Sequence, residues 1–284
     1  MTGAVIDATI DTLKLIPFLF LTYLFMEYLE DRAGEKTVAA VERAGKFGPA
    51  LGSLLGAVPQ CGFSAAAANL FSGGLISVGT IVAIFLSTSD EMLPIFISEA
   101  VPGGTIAKIL GAKIVIGLIC GFALDFLIRR FRKDRPVKHI HDLCEMDNCR
   151  CEEGSILRSA LIHTGKITLF IYIISVAIAL AMHFIGADTL GSWMAGSSLL
   201  GVIVSGIVGL IPNCAASVAI TELYIKGIMT PGQMMSGLLV SAGVGLLVLF
   251  RTNRNTKENL RITGALLLAG VAFGFLIDFL GISF

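Results

Sequence analysis

Two cysteines sit in matching surroundings: Pro59-Gln60-Cys61-Gly62-Phe63-Ser64 and Pro212-Asn213-Cys214-Ala215-Ala216-Ser217. Proline lacks an N–H and ends a helix, so the residues after it offer free backbone groups beside polar side chains. Gln60 and Asn213 bring amide oxygens, Cys61 and Cys214 sulfur, and Ser64 and Ser217 hydroxyls. Thiolate is a soft ligand for Zn, Cu(I) or a trivalent metalloid, whereas carbonyl and carboxylate oxygens suit Mn or Mg. The plainer alternative is that both cysteines are small packing residues.

A second polar group, Ser87-Thr88-Ser89-Asp90-Glu91, interrupts the apolar run 75–96 and is followed by Pro94. An ionisable group inside a bilayer costs at least about 2.5 kcal/mol and is usually functional. Asp90 and Glu91 are therefore candidates for cation ligation or proton coupling, with the headgroup layer as their alternative place. Glu222 lies two helical turns beyond Cys214 and is expected to turn to the same side as a further carboxylate; a rim charge is the alternative. Asn69 stands at the corresponding position of the first half.

A third group differs in kind. His139, His141, Cys144, Cys149 and Cys151 fall in one short polar stretch, with carboxylates between them. Imidazole and thiolate are the ligands zinc and similar metals take. The spacing matches no standard zinc finger, but Zn or another transition metal is the expected occupant. An incidental polar loop is the alternative.

The elements that must hold these groups are set by composition. Of 284 residues, 55% are hydrophobic and 15% charged, against about 25% charged in an ordinary soluble domain. Mean hydropathy is +0.85. Lys+Arg and Asp+Glu both number 21, so no basic excess draws the chain to nucleic acid. A spanning helix needs about 20 apolar residues, leaving room for roughly six to ten crossings. There is no basic n-region before the first apolar run, so a separate targeting segment is not expected. The expected class is a multi-pass protein of the cytoplasmic membrane.

The chain also reads as a duplication. Cys214 follows Cys61 by 153 positions (214 − 61), and the same offset carries Gly79 to Gly232, Gly121 to Gly274 and Asp125 to Asp278. Asp90 and Glu91 fall on Gly243 and Val244, with Ser241 close by, so a substrate site built here is asymmetric. Asp125 and Asp278 lie near segment ends and are expected to reach headgroups. Apolar segments are expected at 13–29, 48–58, 61–71, 75–96 and 105–128, then at 167–186, 196–211, 214–225, 233–250 and 262–282. Two in each half are too short to span, and these flank the Pro-x-Cys motifs.

Basic residues mark the cytoplasmic side. Arg129, Arg130, Arg132, Lys133, Arg135 and Lys138 follow one segment, and Arg251, Arg254, Lys257 and Arg261 lie in another loop. The counterpart of the latter, 97–104, has no Lys or Arg. Corresponding loops thus fall on opposite faces, as in inverted-repeat transporters. The expected fold is all-α and polytopic: two inverted-topology repeats, each with a Pro-x-Cys re-entrant hairpin or a broken helix. The expected division is 1–131, a cytoplasmic linker at 132–155, and 156–284.

The stretches VPQCGFSAAAANL at 58–70, FLSTSDEMLPI at 85–95, IPNCAASVAITELY at 211–224 and GLLVSAGVGLLVLFRTNRN at 237–255 resemble a bacterial and archaeal family of ten-transmembrane heavy-metal exporters. Its members carry the labels arsenic-efflux protein or manganese transporter. The resemblance implies a secondary transporter, not an enzyme, that moves a metal or metalloid ion outward. Without a Gly-x4-Gly-Lys-[Ser/Thr] motif, coupling is expected from a proton or sodium gradient, with no cofactor needed for transport. The lipid bilayer is the expected surrounding, and the sequence leaves the oligomeric state open, a homodimer being one assembly it allows. Two rival readings stand: a transporter of an organic or oxyanion solute, and a membrane-bound metal sensor worked by the His/Cys loop.

Overall fold

The computed structural model describes residues 6, 9–10, 12–14, 16–17, 19–21, 23–24, 47–59, 61–89, 92–131, 156–185 and 198–284. The regular elements among them are all helices: α1 (Gly48–Gly56), α2 (Cys61–Ser72), α3 (Val78–Ser87), α4 (Met92–Ser98), α5 (Gly103–Phe131), α6 (Ile156–Ile185), α7 (Ser198–Gly209), α8 (Cys214–Ile225), α9 (Pro231–Val240), α10 (Val244–Thr252) and α11 (Thr256–Phe279). A short apolar helix, Thr12–Leu21, precedes them. Among the described residues, five stretches are long and apolar enough to cross a membrane: Val78–Ser98, Gly103–Arg130, Ala160–Ile178, Pro231–Thr252 and Thr256–Phe279. A helix satisfies its own backbone groups, which lipid cannot do. The outward faces fit that solvent, with Phe126, Leu268 and Phe279 exposed.

The series α1–α5 recurs as α7–α11, and α2/α8 and α3/α9 coincide to the residue under the offset read from the sequence. Local chemistry recurs with it. Ser77 caps α3 by accepting from Thr80 N at 3.1 Å, and Thr230 caps α9 through a capping box with Gln233. Each capping hydroxyl donates to a carboxylate from the facing long helix: Ser77 Oγ to Asp125 Oδ2 at 2.6 Å, and Thr230 Oγ1 to Asp278 Oδ2 at 2.7 Å. The second carboxylate oxygens accept from Gly79 N at 2.9 Å and Gly232 N at 2.8 Å. The first N–H groups of a helix lack internal partners and favour negative charge. The two aspartates supply both needs. They do not reach for headgroups as their positions in the sequence suggest: Asp125 is buried and Asp278 partly so.

The contact is close because small residues meet there. A Cβ on Gly79 would stand 2.2 Å from the Gly121 carbonyl oxygen, and one on Gly232 2.2 Å from that of Gly274. Gly232→Ala is therefore expected to cost about 2 kcal/mol or more through forced separation of backbones. Gly264→Ala, where the added carbon meets nothing within 4 Å, serves as the control. Thermal unfolding of the detergent-solubilised variants tests this, and equal midpoints would refute the close-packing account.

The direction of each piece follows from side-by-side contacts. Gly48 and Gly52 of α1 lie against Thr80 of α3, and Gly56 lies against Ile84 and Ser87. The two helices thus run the same way, and α2 returns between them through the turn at 57–59. The second half repeats this: Ser205 Oγ of α7 donates to Gln233 O of α9 at 2.7 Å, and Gly209 lies against Gly237. The returning helices cross to the other half. Helix α2 packs along α10, with Ser64 against Gly245 and a 2.7 Å hydrogen bond between the hydroxyls of Ser72 and Thr252. Helix α8 packs along α4, where the Phe96 and Tyr224 ring centroids are 6.4 Å apart.

One break departs from the sequence reading. The run 233–250 reads as an unbroken apolar segment, yet α9 stops at Val240 and α10 starts at Val244. Gly243 adopts φ 53°, a left-handed conformation that glycine takes without steric cost. Its counterpart break lies between α3 and α4, where the polar interruption is plain in the sequence.

Candidate functional site

The two breaks meet at a small cavity, its free space no larger than about one water molecule. Thr88, Ser89 and Met92 reach it from the first break, and Leu238, Ser241 and Gly243 from the second. Cys214 and Ser217 enter from the first turn of α8, and Lys113 from the middle of α5. Of the residues singled out in the sequence, the cavity therefore gathers Thr88, Ser89, Cys214, Ser217 and Ser241.

Three of its hydroxyls are arranged in one sense. Thr88 Oγ1 donates to Ile84 O at 2.8 Å, Ser89 Oγ to Ser87 O at 3.1 Å, and Ser217 Oγ to Cys214 O at 2.8 Å. A hydroxyl whose proton is engaged with the backbone presents oxygen lone pairs to whatever sits beside it. Two sulfur side chains join these oxygens: the buried sulfur of Cys214 and the thioether of Met92. They come from different halves. Sulfur of both kinds favours soft metal ions.

Other candidates stand elsewhere. Ser87 Oγ folds back onto Ala83 O at 2.8 Å and Ile84 O at 3.1 Å, beside Gly56. Asn213 caps α8, its Oδ1 accepting from Ala215 N at 2.9 Å while Nδ2 donates to Ser175 O at 3.3 Å. Its amide oxygen is thus engaged in starting α8. Ser64 is buried against Gly245. Asn69 is fully buried, and its Oδ1 accepts from Tyr23 Oη at 3.1 Å. Glu222 does not turn toward Cys214: it is exposed and pairs with Lys226 at 3.3 Å, one turn along α8. Eight residues on a helix leave about 80° between two side chains, enough here to take Glu222 out of the cavity.

Gln60, Asp90, Glu91 and the His139, His141, Cys144, Cys149 and Cys151 group lie outside the described residues, as does the side chain of Cys61. Positions 90 and 91 fall between Ser89 and Met92, both of which line the cavity. Among the described residues no cluster of three or more His, Cys, Asp or Glu is present.

Lys113 escaped the sequence reading. It is 1% exposed, and its Nζ donates to Thr88 O and, at 3.0 Å, to Leu238 O. The signal was available: a cation in the middle of an apolar segment is costly and marks an interior face. Met92, Leu238 and Gly243 carried no such mark, because apolar residues and glycine are common throughout the chain.

A family model described as "Putative, 10TM heavy-metal exporter" matches residues 3–189 of the chain. No curated protein and no solved structure matches it.

Proposed function

The chain belongs to the family of ten-transmembrane heavy-metal exporters, and from that premise we propose that it is a secondary transporter carrying a thiophilic metal or metalloid ion out across the cytoplasmic membrane. The observation that carries the proposal is the pairing of Cys214 and Met92, one sulfur from each half, beside oxygen-presenting hydroxyls in a single cavity. A hard ion such as Mn would be served by oxygen alone. Asp90 and Glu91 stand next in the chain and are assigned to charge balance or to coupling with a proton or sodium gradient.

The reading includes an inverted-topology architecture with two re-entrant hairpins. Its support is directional. Helix α2 runs back toward the face where α1 entered, and α10 runs alongside α2 from Ser64/Gly245 to Ser72/Thr252. The broken span α9–α10 then runs opposite to α3–α4. Hairpins 48–72 and 198–225 enter from opposite faces, and their tips approach the breaks of the other half. Relative movement of the two crossed units would expose the cavity to one side and then the other. The 132–155 segment is assigned to the cytoplasm as a metal-holding accessory of the transporter.

The test is flux. Purified protein in proteoliposomes is expected to move arsenite or Cu(I) and to leave Mn(II) nearly untouched. The reverse order would reject the sulfur site and favour Asp90 and Glu91 with an oxygen ligand set. Inhibition by organic anions but by no metal would favour the rival solute reading. Cysteine labelling adds the orientation: a cysteine at 99 is expected to react from outside and one at 254 from inside. Labelling of both from the same side would refute the inversion.

A further inference from the structure

Lys113 reaches two carbonyls that belong to different halves of the molecule. Thr88 is the C-cap residue of α3, and Leu238 lies in the last turn of α9. The final carbonyls of a helix have no internal donor and carry the negative end of the helix dipole. Unwound carbonyls and half-helix C-termini are where transporters hold monovalent cations. Both carbonyls face the same break region, and the group seated between them is an ammonium on a fully buried stem.

The duplication sharpens the point. Under the offset, the counterpart of Lys113 is Leu266, which is fully buried and apolar. The second half therefore carries a packing residue where the first carries a cation. A purely structural brace repeated by duplication would be expected twice, as the aspartate caps are. Among the described residues this feature has no counterpart in the second half, and it stands beside the cavity.

We propose that the Lys113 ammonium is a tethered replacement for a monovalent cation: it fills a carbonyl-lined cation site spanning the two helix breaks, so that no free ion is needed there. The site would take a sodium-sized ion or a small alkylammonium if the side chain were removed. The ammonium also ties the C-terminal end of α3 to that of α9, fixing the two breaks against each other. The inference goes beyond the transport reading and does not depend on which substrate the cavity accepts.

The experiment measures unfolding temperatures of detergent-solubilised Lys113→Ala, Lys113→Ser and Lys113→Met, with the salt cation changed from choline to sodium or methylammonium. The alanine and serine variants open the site, and a rise of about 3 °C or more is expected for each in sodium or methylammonium. Lys113→Met keeps the stem volume without the charge. It is expected to be less stable than wild type and not to respond to the cation. Wild type is expected not to respond either. The proposal is overturned if neither small variant responds, or if wild type shifts as much as they do. It is also overturned if Lys113→Met matches wild type in choline. Failure of both small variants to fold in any of the three cations, while Lys113→Met folds, would show that volume and not charge is required, and would likewise overturn it. Because the readout is stability, a failed flux assay leaves this result standing.

Discussion

Cys214→Ser is expected to lower transport of a thiophilic ion by at least about tenfold and to leave the protein folded. Serine nearly preserves the volume of the buried thiol but exchanges a soft ligand for a hard one. Loss of even an outer partner at a metal site costs about 10–100-fold in affinity, so loss of a ligand atom is not expected to cost less. The effect should appear with arsenite or Cu(I) and be small with a hard ion. Cys61→Ser, at the equivalent position under the 153-residue offset (214 − 61), makes the companion measurement. Proteoliposome flux and unfolding midpoints are measured on the same preparations. Full transport in Cys214→Ser would remove sulfur ligation from the mechanism. A collapse of the midpoint without any shift in ion preference would make Cys214 a packing residue.

Asp125→Ala should be the most damaging single change among the buried polar residues of the first half. It removes the acceptor of Ser77 Oγ and of Gly79 N together, at a site 4% exposed. Loss of a helix cap costs about 0.5–2 kcal/mol, and a charged hydrogen bond adds about 1.5–3 kcal/mol. A combined loss of about 2–5 kcal/mol is expected, seen as a fall of about 5 °C or more in unfolding temperature. Asp125→Asn keeps one acceptor oxygen and should lose less. Asp278→Ala should follow the same order with a smaller fall, since Asp278 is only partly buried. The capping account fails if Asp125→Ala unfolds with wild type, or if both substitutions stop transport at unchanged stability. The second outcome would move Asp125 from the scaffold to the transport cycle.

How much of this was readable in advance depended on whether the governing interaction is local. Helix positions were readable, because lipid demands long apolar runs and proline ends them: the segments expected at 61–71 and 214–225 are α2 (Cys61–Ser72) and α8 (Cys214–Ile225). The break at 87–91 was also readable, since hydroxyls and carboxylates interrupt an apolar run. Its partner at 241–243 was not. A glycine there permits a left-handed turn, but the chain has 32 glycines, and only the backbone conformation identifies the one that breaks a helix. Asp125 and Asp278 illustrate the same limit. Their matched positions were visible, but the donors they serve lie 46 and 48 residues away in the chain.

The sequence by itself determined the solvent and where most of the apolar segments lie. It also determined the family, because mean composition, apolar run lengths and short motifs are properties of contiguous residues. The tertiary structure alone decided which of the candidates share a cavity. It crossed each return helix onto the other half, and so set Cys214 and Ser217 beside Met92 and Ser89 while leaving Ser87 in its own helix and Glu222 at the surface. It also brought Lys113 to two carbonyls 25 and 125 residues distant. No local pattern encodes such a meeting, because it depends on how closely small residues let whole helices approach.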